Sequence, residues 1–335
     1  MKKDLPLILK NIVLNIQQED EFESLALLLY DFQLKNNPIF AQWVSFFCEN
    51  PYNIQKIEQI PCLPIEFFKY HTIRSISKKP TIIFESSGTT QTPKSRHLLT
   101  DSYFYVQNSI QIFEKQYGSL ENYHILALLP SYLERENSSL VYMVNEFMKK
   151  SASPYNTFYL YDFEKLFQTI QFLRKNDSER KILLWGVTYA LLDFAEKFGG
   201  NDFSDIIIME TGGMKGRRKE MTRAEVHQIL QKAFGVKQVH SEYGMTELLS
   251  QAYSQGEGIF EMPLTMRIFL RENNDPLTYT HTRGLINVID LANIESCAFI
   301  ATQDVGTLID KNKFMVLGRA DNAEQRGCNL LLEQF

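Results

Sequence analysis

The spacing of apolar residues changes twice along the chain. Up to about residue 50 it follows a helical period, as in EFESLALLLYDFQLKNN (21–37), and the Asn-Asn-Pro there marks a helix end. From Thr81 to about Gly256, short apolar runs alternate with amphipathic stretches of helical period. After Gly256 the helical pattern fades, and short apolar runs are joined by polar turns. The pattern predicts a helical beginning, an α/β middle and a β end.

The middle region is predicted to form strand–helix–strand units and a buried parallel sheet, so the fold class is α/β. The apolar runs are TIIFE (81–85), YHILALLP (123–130), KILLWG (181–186) and DIIIME (205–210). The helical stretches are SSLVYMVNEFMKK (138–150), FEKLFQTIQFLRKN (163–176) and TRAEVHQILQKAF (222–234). Beyond Gly256 the short runs predict an antiparallel barrel or small sheet. Ahead of the sheet, IPCLPIEFFK (60–69) has two prolines and predicts an extended connector that packs through Phe67 and Phe68.

Composition and charge argue against several classes of protein. The 335 residues are 44% hydrophobic and 22% charged, and no apolar stretch is long enough to span a bilayer. A net charge of −5 argues against nucleic acid as the main partner, although a local basic cluster could hold phosphates. Asp4 and Asn11 interrupt the apolar residues near the amino terminus, so we expect no signal peptide. The four cysteines form no CxxC pair, and we expect reduced thiols in a cytoplasm.

The segment FESSGTTQTPKSRH (84–97) follows a predicted strand and is rich in hydroxyl residues, with one glycine, one lysine and one arginine. Hydroxyls, backbone N–H groups and cations in one loop suit a polyphosphate, whose oxygens need donors from several directions. The spacing of a Walker A loop is absent. The alternative is a solvent-exposed loop rich in serine and threonine, which is common in proteins.

The segment METGGMKGRRKEMTRAEVH (209–227) runs from a strand into Gly212-Gly213 and then into a basic cluster at 215–219. Paired glycines at the carboxyl end of a strand let a flat ligand approach the backbone closely. Thr222, with Glu225 three residues later, predicts a capped helix start. The alternative is a tight turn with solvated charges.

The segment VHSEYGMTELLSQAYS (239–254) ends a strand at a Glu-Tyr-Gly sequence. Tyr243 could stack on a base, Thr246 could donate to a phosphate, and Glu247 could hold Mg²⁺ through hard carboxylate oxygens. The alternative is a buried tyrosine followed by an ordinary glutamate at a helix start.

Two further segments, TQDVGTLI (302–309) and VLGRADNAEQRG (316–327), place Asp304 and Arg319 in or beside turns. A carboxylate can accept both hydroxyls of a ribose, and an arginine can support the sugar or a phosphate. Taken singly, each is an ordinary turn residue.

In this order, four of these five segments resemble motifs of the adenylate-forming superfamily of acyl- and aryl-CoA ligases: a phosphate loop SSGTTGxPK, a YGxTE motif, a TGD-like aspartate and a GRxD hinge. More narrowly, the chain resembles the LuxE-type acyl-protein synthetases, which supply fatty acyl groups to a reductase in bacterial bioluminescence. The segments that carry this resemblance run from about residue 60 to the end: LPIEFFK, SSGTTQTPKSRH, LPSYLERENSSLVYMV, ETGGMKGRRKEM, SEYGMTELLSQAYS and RGCNL.

The resemblance implies the large-domain architecture of that superfamily, with parallel sheets, flanking helices and a small C-terminal β-barrel-like subdomain, truncated at the hinge. Residues 1–60 would be a helical segment packed on the core, and 61–255 the α/β core with the phosphate loop and adenine site. Residues 256–318 would be the β subdomain, and 319–335 a hinge remnant and cysteine tail.

The resemblance also implies ATP and Mg²⁺ as cofactors and a reaction in two steps. A carboxylate attacks the α-phosphorus of ATP to give an acyl-adenylate, and the acyl group then passes to a cysteine thiolate. The implied roles are leaving-phosphate contacts for Ser86, Ser87, Gly88, Thr89, Thr90 and Lys94; adenine contacts for Gly212, Gly213, Glu242 and Tyr243 beside Gly244; an α-phosphate contact for Thr246; ribose contacts for Asp304 and Arg319; and Mg²⁺ binding for Glu247.

Two departures from the superfamily pattern affect these expectations. Gln91 stands where the phosphate loop has a glycine, which would stiffen the loop. The sequence ends just after the GRxD hinge, so the catalytic lysine of the superfamily's mobile C-terminal domain is not expected. Stabilisation of the developing charge would then fall to Lys94, Arg96 or the basic cluster at 215–219.

The resemblance makes Cys328, in the RGC tail, the acyl acceptor and thus a catalytic residue. A thiolate near Arg326 would have a lowered pKa and be a competent nucleophile toward a mixed anhydride. From the residues alone, an unpaired cysteine is more often buried and inert, which is what we expect of Cys48, Cys62 and Cys297.

The preferred hypothesis is an acyl-activating enzyme that loads a fatty or other hydrophobic carboxylate onto Cys328 and passes it to a protein such as a reductase or carrier protein. A second hypothesis releases the acyl group directly to coenzyme A or a carrier-protein thiol. A third is a non-catalytic subunit that binds a reductase or acyltransferase. The three differ in whether pyrophosphate exchange occurs and whether Cys328→Ala alters activity.

Overall fold

The computed structural model describes residues 5–87, 93–130, 137–160, 162–212, 221–273 and 275–320. The helices are α1 Leu5–Leu14, α2 Glu21–Asn36, α3 Pro38–Ser45, α4 Phe67–Tyr70, α5 Ser102–Tyr117, α6 Ser139–Ser151, α7 Phe163–Asn176, α8 Thr188–Phe198 and α9 Arg223–Phe234. The strands are β1 Leu63–Pro64, β2 Ile82–Glu85, β3 Arg96–Leu99, β4 Tyr123–Leu128, β5 Thr157–Phe158, β6 Lys181–Val187, β7 Ile207–Thr211, β8 His240–Tyr243, β9 Ala252–Ser254, β10 Ile259–Glu261, β11 Met266–Arg271, β12 Tyr279–Thr280, β13 Gly284–Asp290, β14 Phe299–Asp310 and β15 Lys313–Arg319.

These elements form two compact units, each assembled from separate parts of the chain. Unit 1 comprises the chain up to Asn108, residues 245–251 and the chain from Met262 onward. Unit 2 comprises 109–244 and 252–261. Because both units are discontinuous in the chain, the segment boundaries drawn from the sequence at 60, 255 and 318 stay predictions.

Unit 1 contains an antiparallel sheet in the order β12-β11-β13-β14-β15, with β1 paired parallel to β14. The strand β13 (GLINVID) is buried at every position, so both of its faces are covered. Phe299 of β14 stacks on Phe40 of α3 with ring centroids 5.5 Å apart and contacts Tyr30 of α2 edge-on at 6.0 Å. The prediction of short antiparallel strands beyond Gly256 is confirmed, and the early helices pack on this sheet.

The connector at 60–69 is extended only in part. Leu63–Pro64 forms β1, whereas Phe67–Tyr70 forms the short helix α4. Phe67 and Phe68 are fully buried, as predicted.

The run TIIFE is not part of the parallel sheet. Its residues 82–85 form β2, which pairs antiparallel with β3 in a separate two-stranded hairpin. The prediction of a parallel strand here is wrong because the next extended segment follows after ten residues, which closes a hairpin and leaves no room for a crossover helix.

Unit 2 contains a sheet in the order β10-β9-β8-β7-β6-β4-β5, in which β4 to β8 are parallel to one another and β9 and β10 are antiparallel. Three of the four predicted parallel strands are therefore confirmed.

Helix α9 begins with the predicted capping box, because Thr222 and Glu225 each bind the other's backbone N–H. The parallel strands β7 and β8 end at the same edge of this sheet, and open α/β sheets place ligands at that edge.

No helix in the described parts of the chain is long and apolar enough to cross a membrane.

Candidate active site

At the base of the predicted phosphate loop, in unit 1, two serines (Ser86 and Ser95) hydrogen-bond each other. The backbone N–H of Ser86 donates to the carbonyl of Ser95 (3.1 Å), and the N–H of Ser95 donates to the hydroxyl oxygen of Ser86 (3.0 Å). Ser87 is exposed at the start of the loop. The next predicted contacts (Gly88, Thr89 and Thr90), together with Gln91, lie outside the described residues. The stem of the loop is thus fixed by the two serines.

Two cations stand at this stem. Lys94 is exposed and its Nζ lies 3.5 Å from the Glu85 carboxylate. Arg96 is exposed and sits opposite Glu85 in the β2–β3 register. An exposed ion pair of this length is weak, so Lys94 can exchange Glu85 for a phosphate oxygen at little cost.

Glu247, the predicted Mg²⁺ ligand, is buried in unit 1, with only 5% of its surface exposed. Burial raises the pKa of its carboxyl group, while a hydrogen bond from the Ser95 side chain and the positive charges of Arg319 and Lys69 act in the opposite direction. The loop stem therefore contacts the Glu247 carboxyl group through Ser95, and the charges of Lys69 and Arg319 act on the same group.

Magnesium binding at Glu247 stays a prediction, which the chemistry of this carboxyl group supports. The buried carboxylate is a hard oxygen ligand whose desolvation a dication would offset. No group of three or more His, Cys, Asp or Glu side chains that could hold a metal occurs among the described residues. A magnesium ion at Glu247 would complete its shell with substrate oxygens and water, as this ion usually does.

The backbone around Glu247 is held from both sides. The Thr246 carbonyl lies 2.8 Å from Nδ1 of His97, and the Glu247 carbonyl accepts from Nδ2 of Asn293 (2.7 Å). His97 and Asn293 are both buried. The position of the Glu247 carboxylate therefore depends on β3 and on the turn between β13 and β14.

The residues after Glu247 are fastened by Asp290, at the end of β13. One oxygen of its carboxylate accepts from the N–H groups of Leu249 (2.7 Å) and Ser250 (3.0 Å), and the other accepts from the Ser250 hydroxyl (2.7 Å). Nδ2 of Asn108 donates to the Leu249 carbonyl (2.9 Å). Burial raises the pKa of Asp290 although these hydrogen bonds oppose the shift.

Asp304 and Arg319, the predicted ribose pair, are cross-strand partners in β14 and β15. Arg319 Nε donates to Asp304 Oδ1 at 3.2 Å. The Asp304 side chain is 9% exposed and that of Arg319 is 74% exposed. The arginine end of the pair can therefore reach a ligand, while the buried aspartate orients it.

In unit 2, Glu242 is the second-last residue of β8, and its buried carboxyl group accepts a hydrogen bond from the hydroxyl of Thr211 on β7. Burial and the nearby Glu210 charge raise the pKa of Glu242 to about 7, although the Thr211 bond opposes the shift. Gly212 follows Thr211 at the end of β7. Its φ is +75°, a conformation that favours glycine, and the residue is exposed. Gly212 therefore leaves backbone exposed at the end of β7, and the adenine contact there stays a prediction.

Glu210, one residue before Thr211, is ionised within a buried network. Its carboxylate lies 2.8 Å from Arg223 Nε and accepts from the Ser241 hydroxyl at 2.8 Å. Burial opposes ionisation, but the Arg223 charge and the His227 contact hold the pKa at about 2. Through these contacts Glu210 of β7 links α9, by Arg223, to β8, by Ser241.

Tyr243 is buried, with its ring 5.8 Å from that of Phe260, whereas the next residue, Gly244, is exposed. The stacking of Tyr243 on a base stays a prediction. Gly213, the basic cluster at 215–219 and Cys328 lie outside the described residues.

The three described cysteines are free thiols. Burial raises the pKa of Cys62 to about 12 and also raises that of Cys297, and Cys48 is half-buried with a raised pKa. A raised pKa disfavours the reactive thiolate, so these three thiols are poor nucleophiles.

Several residues at Glu247 were missed by sequence reasoning. His97 and Lys69 lie inside quoted motifs, but no local pattern marks them as partners of Glu247. Asn293 and Asp290 lie in the β region, more than 40 residues further along the chain. Only the fold brings these groups together.

Comparison with known proteins gives a family match over most of the chain. The family model described as acyl-protein synthetase, LuxE, matches residues 33–335. No curated protein matches the chain.

Similar solved structures are adenylate-forming ligases. A long-chain-fatty-acid–CoA ligase from Archaeoglobus fulgidus is 15% identical with a TM-score of 0.50, covering 76% of this chain and 54% of its own. O-succinylbenzoate coenzyme A synthetase from Bacillus subtilis, in complex with ATP and magnesium ion, is 16% identical with a TM-score of 0.47, covering 73% and 52%. A fatty acid AMP ligase from Legionella pneumophila is 14% identical with a TM-score of 0.46, covering 76% and 53%. The first likeness shows the adenylate-forming fold, and the chain spans about half the length of these proteins.

Proposed function

The chain belongs to the acyl-protein synthetase family, LuxE, and on that premise we propose that it activates a fatty or other hydrophobic carboxylic acid with ATP. In the first step a carboxylate oxygen attacks the α-phosphorus, the bond from that phosphorus to the bridging oxygen breaks, and pyrophosphate leaves. The product is an acyl-adenylate. In the second step a thiolate attacks the acyl carbonyl, AMP leaves and a thioester forms.

The observation that carries the proposal is the convergence on Glu247. Ser95 from the loop stem hydrogen-bonds its carboxyl group, and the charges of Arg319 and Lys69 act on it. Groups from three predicted motifs therefore act on Glu247, a buried carboxyl group of the kind that suits a divalent cation. Phosphoryl displacement depends on such positioning and on charge neutralisation more than on covalent help.

The loop stem would hold the leaving phosphates. The Ser86 hydroxyl oxygen accepts from Ser95, which leaves its proton for a phosphate oxygen, and Lys94 and Arg96 supply positive charge beside it. Magnesium, held by Glu247, would neutralise charge on the phosphates. Lys94 would leave Glu85 as the phosphates arrive.

The remaining contacts orient the nucleoside. Arg319, held by Asp304, would support the ribose. Gly212 and the end of β8, with Glu242 and Tyr243, would bind the adenine, because the strand ends there and leaves backbone exposed.

The acyl group would pass to the Cys328 thiol and from there to a protein such as a reductase or carrier protein. The described thiols (Cys48, Cys62 and Cys297) have raised pKa values and are poor candidates for this step.

The first step is tested by ATP–pyrophosphate exchange with Mg²⁺ and a panel of carboxylic acids of increasing chain length. We expect exchange with hydrophobic acids and a fall of about 100-fold or more in Glu247→Gln, because the proposed cation ligand is lost. Thermal unfolding should be unchanged or raised, since a buried carboxyl group with a raised pKa is replaced by a neutral amide.

The exposed Glu121→Gln, on the surface of unit 2, is the matched control and should retain full exchange. Absence of exchange with every acid would contradict the proposal and favour a non-catalytic binding subunit. Equal exchange in the unaltered protein and in Glu247→Gln would contradict the role of that carboxylate.

A further inference from the structure

A buried histidine holds the peptide that precedes the Glu247 side chain. His97 Nδ1 lies 2.8 Å from the Thr246 carbonyl, and Nε2 lies 2.8 Å from the Ser296 hydroxyl. A carbonyl oxygen can only accept, so Nδ1 carries the proton and donates. The Ser296 hydroxyl then donates to Nε2, and both ring nitrogens of His97 are used.

The imidazole is fixed in this form. His97 is fully buried, and burial lowers its pKa to about 4 although the Thr246 bond and the Glu295 charge oppose the shift. The ring is therefore neutral near pH 7 and keeps one tautomer. Its position is further set by Phe68, whose ring meets it edge-on at 5.7 Å between centroids.

His97 lies two residues after Ser95, whose side chain hydrogen-bonds the Glu247 carboxyl group. Side chains two residues apart in extended backbone project from the same face. The β2–β3 hairpin therefore holds Glu247 twice, at the carboxyl group through Ser95 and at the preceding peptide through His97. The same hairpin carries the loop stem at Ser86.

We propose that His97 is a positioning residue for Glu247: it sets the direction of the Glu247 carboxylate by donating Nδ1–H to the Thr246 carbonyl. The proposal rests on the proposed function in that Glu247 is taken as the cation ligand. His97 acts through the backbone and touches neither the substrate nor the cation. Partners of this indirect kind commonly change metal affinity or activity by about 10- to 100-fold when removed.

Two substitutions separate this role from simple filling of the core. In His97→Asn the amide nitrogen can occupy the place of Nδ1 and donate to Thr246. In His97→Gln the amide lies further out, near the place of Nε2 and Ser296, and the Thr246 carbonyl loses its donor. We therefore expect His97→Asn to behave like the unaltered protein and His97→Gln to be impaired.

The first readout needs no catalysis. Hydrogen exchange of residues 245–251, measured by mass spectrometry, should be about tenfold faster or more in His97→Gln and close to unaltered in His97→Asn. The second readout is the Mg²⁺ concentration that gives half-maximal ATP–pyrophosphate exchange. It should rise about tenfold or more in His97→Gln only.

His124→Gln is the matched control, because His124 is an equally buried histidine on β4 that contacts Ser153 in unit 2. It should leave both readouts unchanged. Equal behaviour of His97→Asn and His97→Gln in both readouts would overturn the proposal. If the unaltered protein exchanges pyrophosphate with no acid, the proposed function fails, and the hydrogen-exchange comparison alone decides whether His97 anchors the segment.

Discussion

Glu210 and Glu242 lie on neighbouring strands, and their surroundings move their pKa values in opposite directions. Glu210 faces Arg223 and His227 and is ionised, with a pKa of about 2. At Glu242, burial and the Glu210 charge outweigh the hydrogen bond from Thr211, and its pKa is about 7. Side chains alternate along a strand, and the register sets Glu210 opposite Ser241, so the two carboxyl groups project from opposite faces.

Replacing Glu242 should change how stability depends on pH. Its folded-state pKa of about 7 exceeds the ordinary value of 4.5, so the unaltered protein loses stability as pH rises from about 4.5 to 7. Glu242→Gln should remove up to roughly 3 kcal/mol of that loss at pH 8. Urea unfolding at pH 5 and pH 8 measures the difference.

Glu210→Gln is the control, and its effect on stability should have the opposite sign. The lowered pKa of Glu210 contributes stability above pH 4.5 that is lost as pH falls toward 2, so this variant should be less stable at pH 7. Equal effects of the two substitutions at pH 8 would show that the two carboxyl groups do not differ in charge as described.

At the scale of single residues, motifs pointed to some of the groups that the fold brings together, and their roles stay predictions. Glu247, Asp304 and Arg319 were predicted, and the structure places each of them beside Ser95 or beside one another. His97 was not predictable, because its carbonyl partner lies 149 residues further along the chain. Periodicity reports which side chains are buried but not which distant group each one meets.

At the scale of elements, helix α1 carries a buried charge to the turn that holds Glu247. Lys10 Nζ lies 2.5 Å from Glu295 and 3.0 Å from Asp101. Glu295 also accepts from the N–H (2.6 Å) and hydroxyl (2.7 Å) of Thr100. The same turn contains Asn293, which donates to the Glu247 carbonyl. Helix α1 therefore neutralises the acid beside the candidate active site.

Removing the Lys10 cation should lower the free energy of unfolding. Lys10→Met leaves the Glu295 carboxylate buried without its counter-charge, and such losses cost roughly 3–5 kcal/mol of unfolding free energy. Urea unfolding should show this loss, and Lys10→Met combined with Glu295→Gln should recover part of it. Lys150→Met, at the exposed pair with Glu121, is the control and should change stability little. A neutral result for Lys10→Met would contradict the role assigned to the pair.

The sequence predicted helices α2, α6, α7 and α9 and strands β4, β6 and β7, because amphipathic periods and short apolar runs are local properties. The capping box of α9 was read from Thr222 and Glu225 alone. The pairing partner of a strand was harder to predict, since β2 has the composition of a buried strand but pairs with β3 in a hairpin. The direction of pairing depends on the neighbouring segment and not on the strand itself.

At the scale of the whole molecule, the described thiols bear on the proposed acyl transfer. All three described cysteines have raised pKa values, and two of them are buried. The expectation of a thioester on Cys328 rests on the family resemblance, and the raised pKa values argue only against the three described thiols.

Intact-mass measurement after incubation with ATP, Mg²⁺ and a hydrophobic acid tests that expectation. The protein should gain the mass of one acyl group, and Cys328→Ser should lose the adduct while keeping pyrophosphate exchange. Cys48→Ser, which changes a half-buried thiol, is the control and should keep the adduct. Turnover to a soluble thiol acceptor with no adduct would instead favour direct release to coenzyme A or a carrier protein.

The Lys10–Glu295 pair also bears on where this protein can be divided. The family likeness begins at residue 33, yet the buried cation that neutralises Glu295 comes from residue 10. A border drawn from shared sequence is therefore not a border of the folded unit. Engineers who shorten or graft this protein at the start of the likeness would leave an uncompensated acid in its interior, next to the segment on which the proposed chemistry depends.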